Sequence, residues 1–186
     1  MKKNICVFGG SVSGKNIENE KTAKIIGKII AENNFNLVFG GGEKGIMGAV
    51  AKSSIKNGAT TLGIIPHFLF KKDINDLAHS KKFNTKLIQT ETMHQRKKLM
   101  YDKSDAFIIL PGGIGTLDEC FEVLTWCQLS QIKNKNIGII NFKGYWDPLI
   151  NLINHLIEEE FMGSNNLNYF KEINNIKMLK IFLKGI

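Results

Sequence analysis

Pro111-Gly112-Gly113-Ile114-Gly115-Thr116-Leu117-Asp118-Glu119 follows the run Ala106-Phe107-Ile108-Ile109-Leu110 and opens a segment of helical period. A run that is apolar at every position reads as a strand covered on both faces, which is the condition of strands in a parallel sheet. Small residues at a strand-to-helix turn let backbone amides approach an anion, and the helix that follows adds its dipole to the same spot. This stretch therefore predicts one βα unit with a ligand-binding mouth, and the rest of the chain repeats the unit.

Outward from it, the β-branched and aromatic runs predict strands over 5–8, 37–39, 61–65, 86–89, 106–110 and 137–141. Helical spacing predicts helices over about 18–32, 46–56, 92–103, 116–128 and 146–160, the first with Ile26, Ile29 and Ile30 as its core stripe. Residues 169–173 read as a last edge strand, followed by a short helix ending at Gly185. Alternation of this kind predicts an α/β fold with a mostly parallel sheet flanked by helices. At 186 residues with 43% hydrophobic content, the chain is expected to form one domain over 1–186.

The opening Met1-Lys2-Lys3-Asn4 precedes an apolar run that Gly9-Gly10 ends too early for a signal peptide, and no segment approaches a membrane span. Among the three cysteines, Cys120 and Cys127 lie about two helical turns apart, too far for a bridge, and reduced thiols point to a cytoplasmic protein. The formal charge of +8 comes from dispersed lysines, among them Lys52, Lys56, Lys71, Lys81, Lys133, Lys143 and Lys180, with Arg96-Lys97-Lys98 as a tight run. Dispersion of that kind reads as a solvated surface, so neither a nucleic-acid nor a membrane partner is expected. His67, His79, His94 and His155 show no metal-ligand spacing, and neither a metal nor a cofactor is expected.

Two further glycine loops follow strands. Gly9-Gly10-Ser11-Val12-Ser13-Gly14-Lys15-Asn16 approaches a P-loop, but Asn16 stands where a magnesium-binding hydroxyl belongs. The strand that might end in a Walker B aspartate runs into Pro111-Gly112-Gly113 instead, so the loop reads as a tight turn whose Ser11 can line a nucleotide pocket. Gly40-Gly41-Gly42-Glu43-Lys44-Gly45 carries the dinucleotide spacing, yet the next strand ends at Ile65-Pro66-His67 with no acidic residue for a ribose.

Glu119 admits two readings. Thr116-x-x-Glu119 fits a capping box, in which the glutamate serves only its own helix start. Against that, Glu119, Glu122 and Trp126 share one side of the helix while Leu117, Cys120, Phe121 and Leu124 form an apolar face. Carboxylates one turn apart beside a phosphate loop suit glycosidic cleavage, where they orient water and ribose hydroxyls or offset positive charge. The segment Met93-His94-Gln95-Arg96-Lys97-Lys98-Leu99-Met100 is similarly open: Met93, Arg96 and Met100 share a face, either as core with a snorkelling arginine or at the ligand rim.

Taken together these residues resemble the LOG family, phosphoribohydrolases long mislabelled as possible lysine decarboxylases. Residues 111–119 fit its PGGxGTxxE motif, 93–97 its MHxRK element, and 40–48 its GGGxxGxMG loop. The resemblance implies a modified Rossmann fold, a homodimer, and hydrolysis of a purine riboside 5′-monophosphate, with adenine or a prenylated adenine as base. It implies Arg96 and Glu119 as the functional pair and Gly112, Gly113, Gly115 and Thr116 as the 5′-phosphate cradle. Met93 and Lys97 would border the nucleotide, and Glu122 would support the carboxylates. The first loop departs from the family's Gly-Ser-Ser turn at Gly10-Ser11-Val12-Ser13. A non-catalytic nucleotide-binding protein of the same fold is the alternative.

Overall fold

The computed structural model describes residues 2–73, 85–129, 136–163 and 169–186, with no account of the side chains of 71–73; His79, Lys81 and Lys133 lie outside it. Among the described residues seven strands form one sheet: β1 (Asn4–Phe8), β2 (Asn36–Phe39), β3 (Thr61–Pro66), β4 (Thr85–Thr90), β5 (Ala106–Ile109), β6 (Asn136–Ile140) and β7 (Phe170–Ile173). Their spatial order is β4-β3-β2-β1-β5-β6-β7, and every neighbouring pair is parallel. The helices are α1 (Ile17–Glu32), α2 (Gly45–Lys56), α3 (His67–Asp73), α4 (Met93–Asp102), α5 (Ile114–Gln128), α6 (Asp147–Glu158) and α7 (Ile176–Lys184).

The expected α/β class and its parallel sheet are present, and the order explains why the central strands are apolar throughout. In β1, Ile5 and Val7 join one buried cluster while Cys6 and Phe8 join another. In β5, Ala106 and Ile108 separate from Phe107 and Ile109 in the same way. Successive side chains of a strand point to opposite faces, so a strand with a core on both sides must be apolar at every position. Ile26 and Ile30 of α1, Val50 of α2 and Phe182 of α7 belong to the first cluster. Met100 of α4, Val123 of α5 and Ile153 of α6 belong to the second.

Local signals start and stop these helices. The Asn16 side chain accepts from Glu18 N at the head of α1, and Thr92 does the same for Gln95 N at the head of α4. Pro148 stands in the first turn of α6, where a missing N–H costs nothing. Helix α3 was not expected from the sequence.

The chain winds from β1 outward to β4 and then returns to lay β5 against β1's free side. That reversal is a topological switch point, and crevices outside the carboxyl ends of the strands open there. The loops after β1 and β5 flank it.

Candidate active site

A cavity of about 560 Å³ occupies the switch-point crevice. Its volume lies in the range of ligand pockets, roughly 300–1,000 Å³. Gly113, Ile114, Gly115 and Thr116 reach it from the head of α5, Ser11 and Val12 from the first loop, Met93 and Arg96 from α4, and Asp118 and Glu119 from α5.

Helix α5 begins at Ile114, with Gly113 as its N-cap and no side-chain cap. The capping-box reading is thereby corrected: Thr116 lies inside the first turn, not at the cap, and Glu119 is a full turn deeper than a capping partner. Flexible glycine at the cap lets the helix start earlier than the motif suggests. The first N–H groups of a helix have no partner within it, so this head presents donors and a positive dipole end to the cavity.

Three contacts hold the loop. Gly10 N donates to Pro111 O at 3.0 Å, and the Tyr145 hydroxyl donates to Gly112 O at 2.8 Å. Gly112 itself is wedged between the Thr116 hydroxyl and Gly10 N, leaving no room for a Cβ.

Arg96 is fixed from several sides. Its Nε donates to Ile64 O at 3.2 Å, and its Nη1 lies 3.8 Å from the Met93 sulfur. Its Nη2 stands 3.4 Å from Glu119 Oε1. A Cβ on Gly40 would collide with that same nitrogen, so glycine at the end of β2 is what admits the guanidinium.

Glu119 is 7% exposed. Burial pushes its carboxyl up to about 7; Arg96 and Lys97 oppose that rise, while Asp118 and Glu122 add to it. A carboxyl poised near neutrality beside a cavity suits proton transfer.

Behind this pair lies a second polar group. Lys97, 7% exposed, places Nζ 3.0 Å from Asp118 Oδ2 and 2.9 Å from Glu122 Oε2. The Tyr101 hydroxyl donates to Glu122 Oε2 at 2.6 Å. Burial disfavours the Lys97 charge, but the bonds to Glu122 and Asp118 outweigh it and raise the ammonium above its ordinary value. Burial and the adjacent Glu122 hold the Tyr101 proton well above the usual phenol range, so this hydroxyl remains a donor. The Tyr101 ring stands edge-on to Phe107 and Trp126 in the second core cluster.

Of the residues expected at a site, Ser11, Met93, Arg96, Gly113, Gly115, Thr116 and Glu119 face one cavity. Gly112, Lys97 and Glu122 do not face it: Gly112 backs the loop, and the other two bond each other. Met100 is in the core. Sequence reasoning passed over Asp118, Lys44 and Leu69, which line the cavity, and Tyr101 and Tyr145, which brace it. For Asp118 and Tyr101 a signal existed, since Lys97/Tyr101 and Asp118/Glu122 are i,i+4 pairs that each share a helix face. Among the described residues no group of His, Cys, Asp or Glu could hold a metal ion, and no helix is long and apolar enough to cross a membrane.

The family model described as possible lysine decarboxylase matches residues 47–180. A probable cytokinin riboside 5′-monophosphate phosphoribohydrolase of Oryza sativa subsp. japonica, LOGL6, is 39% identical over 161 residues, covering 87% of this chain and 62% of its own length. The chain thus spans under two thirds of that relative. The cytokinin riboside 5′-monophosphate phosphoribohydrolase LOG1 of Arabidopsis thaliana is 38% identical over 161 residues, covering 87% of this chain and 73% of its own. Among solved structures, a molybdenum cofactor binding protein from Rippkaea orientalis superposes with a TM-score of 0.70 at 21% identity, over 99% of this chain and 96% of that one. This last likeness speaks for the fold alone.

Proposed function

The chain belongs to the LOG family, whose model carries the description possible lysine decarboxylase, and on that premise we propose that it hydrolyses the N-glycosidic bond of a purine riboside 5′-monophosphate. The products are the free base and ribose 5-phosphate. One observation carries the reading: an arginine and a buried carboxyl meet at 3.4 Å on the wall of a cavity whose floor is an uncapped helix head.

The 5′-phosphate lies on the backbone donors of 113–116, with the Thr116 hydroxyl beside them, and this anchor sets the sugar between Ser11, Met93 and the Arg96–Glu119 pair. As the bond from C1′ to the base stretches, the ribose gains oxocarbenium character and the purine gains negative charge. The Glu119 carboxylate offsets the first and Arg96 the second. Water bonds through its oxygen to C1′ as the bond to the base breaks, its proton passes to Glu119 and from there to solvent, and the departing purine takes up a proton from solvent. Binding energy from the phosphate is spent on placing the sugar, so adenosine reacts far more slowly than AMP.

We extend the reading to a homodimer acting in the cytoplasm, on AMP or on its N6-prenylated counterpart. Light scattering of the purified protein measures the first of these directly.

The test is incubation with AMP and with isopentenyladenosine monophosphate, following free base by chromatography. Base and ribose 5-phosphate appear in equal amounts with the parent, and their release collapses in Glu119→Ala and Arg96→Ala. A protein that is stabilised by the nucleotide but liberates no base would instead be the non-catalytic binder.

A further inference from the structure

The residue beside Arg96 in sequence does not follow it into the cavity. Adjacent helical residues are about 100° apart around the axis, so Lys97 points off Arg96's face. It crosses from α4 to α5, where Asp118 and Glu122, one turn apart, receive it at 3.0 and 2.9 Å. Tyr101, one turn along α4 from Lys97, closes the group by donating to Glu122. The Tyr101 ring is fully buried among aromatic side chains and cannot shift without disturbing the core. The reactive pair and its brace are thus interleaved on the same two helices: Arg96 and Lys97 on one, Asp118, Glu119 and Glu122 on the other.

We propose that Lys97 is a positioning residue for the proposed reaction: gripped by Asp118 and Glu122, it locks α4 to α5 so that Arg96 and Glu119 meet, and it makes no contact with the nucleotide. The inference rests on the hydrolase reading for its kinetic consequence only, because the geometry it explains is present without substrate.

Charge follows from the same arrangement. Glu119 is faced by Arg96, Lys97 and Tyr101 from α4 and by Asp118 and Glu122 from its own helix, and Lys44 lines the same cavity. Removing the Lys97 cation leaves the acidic neighbours uncompensated and makes Glu119 harder to ionise. Neutralising Glu122 has the opposite effect.

The experiment combines two readouts on the full chain. The Glu119 carboxyl is titrated by carbon-13 NMR in the parent, Lys97→Met and Glu122→Gln, and kcat and KM for AMP are measured across pH. Lys97→Met is expected to move the Glu119 midpoint up by about one pH unit and Glu122→Gln to move it down. In Lys97→Met, kcat falls on the order of 100-fold, as a misplacement of about 1 Å can produce, with KM unchanged.

A raised KM at unchanged kcat would mean that Lys97 binds the nucleotide, and would overturn the proposal. So would Glu119 midpoints identical in all three proteins. If Lys97→Met does not fold, Glu122→Gln decides alone, since it preserves volume and can still accept from Tyr101: a lowered midpoint supports the brace and an unmoved one defeats it. A parent that releases no base refutes the hydrolase reading, yet the NMR midpoints still judge the brace.

Discussion

Two glycine loops flank the same crevice, and they end differently. The loop after β1 comes closer to a familiar phosphate motif, but the head of its helix already carries a side-chain cap: Asn16 accepts from Glu18 N. The loop after β5 leads into α5 with glycine at the cap and no side chain in the way, and its head lies on the cavity. Glycine content does not decide which loop binds an anion. What decides is whether the helix donors are still unclaimed and aimed at open space. The first loop serves instead as a wall, tied to the other through Gly10 N and Pro111 O.

The sharpest way to break this contrast is to remove function from one side of the crevice and stability from the other. Glu119→Ala, on the helix with the open head, should lower kcat roughly 100- to 10,000-fold in a base-release assay, the span typical of losing a proton-transfer group. Gly40→Ala touches no substrate, yet its new methyl collides with the Arg96 guanidinium. A loss of about 100-fold in kcat/KM is expected from that misplacement, read in the same assay.

The pH dependence sharpens the picture of α5 further. Glu119 ionises near 7 in the folded chain against an ordinary value of 4.5. Between those values the folded state holds more of the proton than the unfolded state, so stability falls as pH rises through the window. The total is on the order of 3 kcal/mol at 1.36 kcal/mol per unit. Glu119→Gln should flatten that slope in denaturant titrations at several pH values. It should also abolish the limb near pH 7 over which kcat/KM rises as the carboxylate forms. The smallest effect belongs to the other loop: Asn16→Ala should cost about 1 kcal/mol by loss of a cap, seen as a lower Tm, with activity intact.

Much of this was legible beforehand because it rests on patterns that the backbone imposes. All-apolar runs such as Ile5-Cys6-Val7-Phe8 can be little else than strands covered on both faces. Helix α3 escaped because seven residues are too few to display a period. The fit of Thr116-x-x-Glu119 to a capping box was a true pattern match overruled by the glycine ahead of it. Gly40 fits the spacing of a dinucleotide fingerprint, yet its place in the fold is to make room for an arginine that is distant in sequence. No local pattern announces such a clearance. Lys97 and Arg96 are neighbours in one motif, yet the turn of the helix between them sends the two side chains to different neighbourhoods.

Which loop holds the phosphate, and what then faces C1′, are both measured at once by a crystal structure of the protein soaked in ribose 5-phosphate. The expected density puts the phosphate on the amides of 113–116 with C1′ directed at Arg96 and Glu119. Phosphate seated in the loop after β1, or C1′ turned away from Glu119, would contradict it.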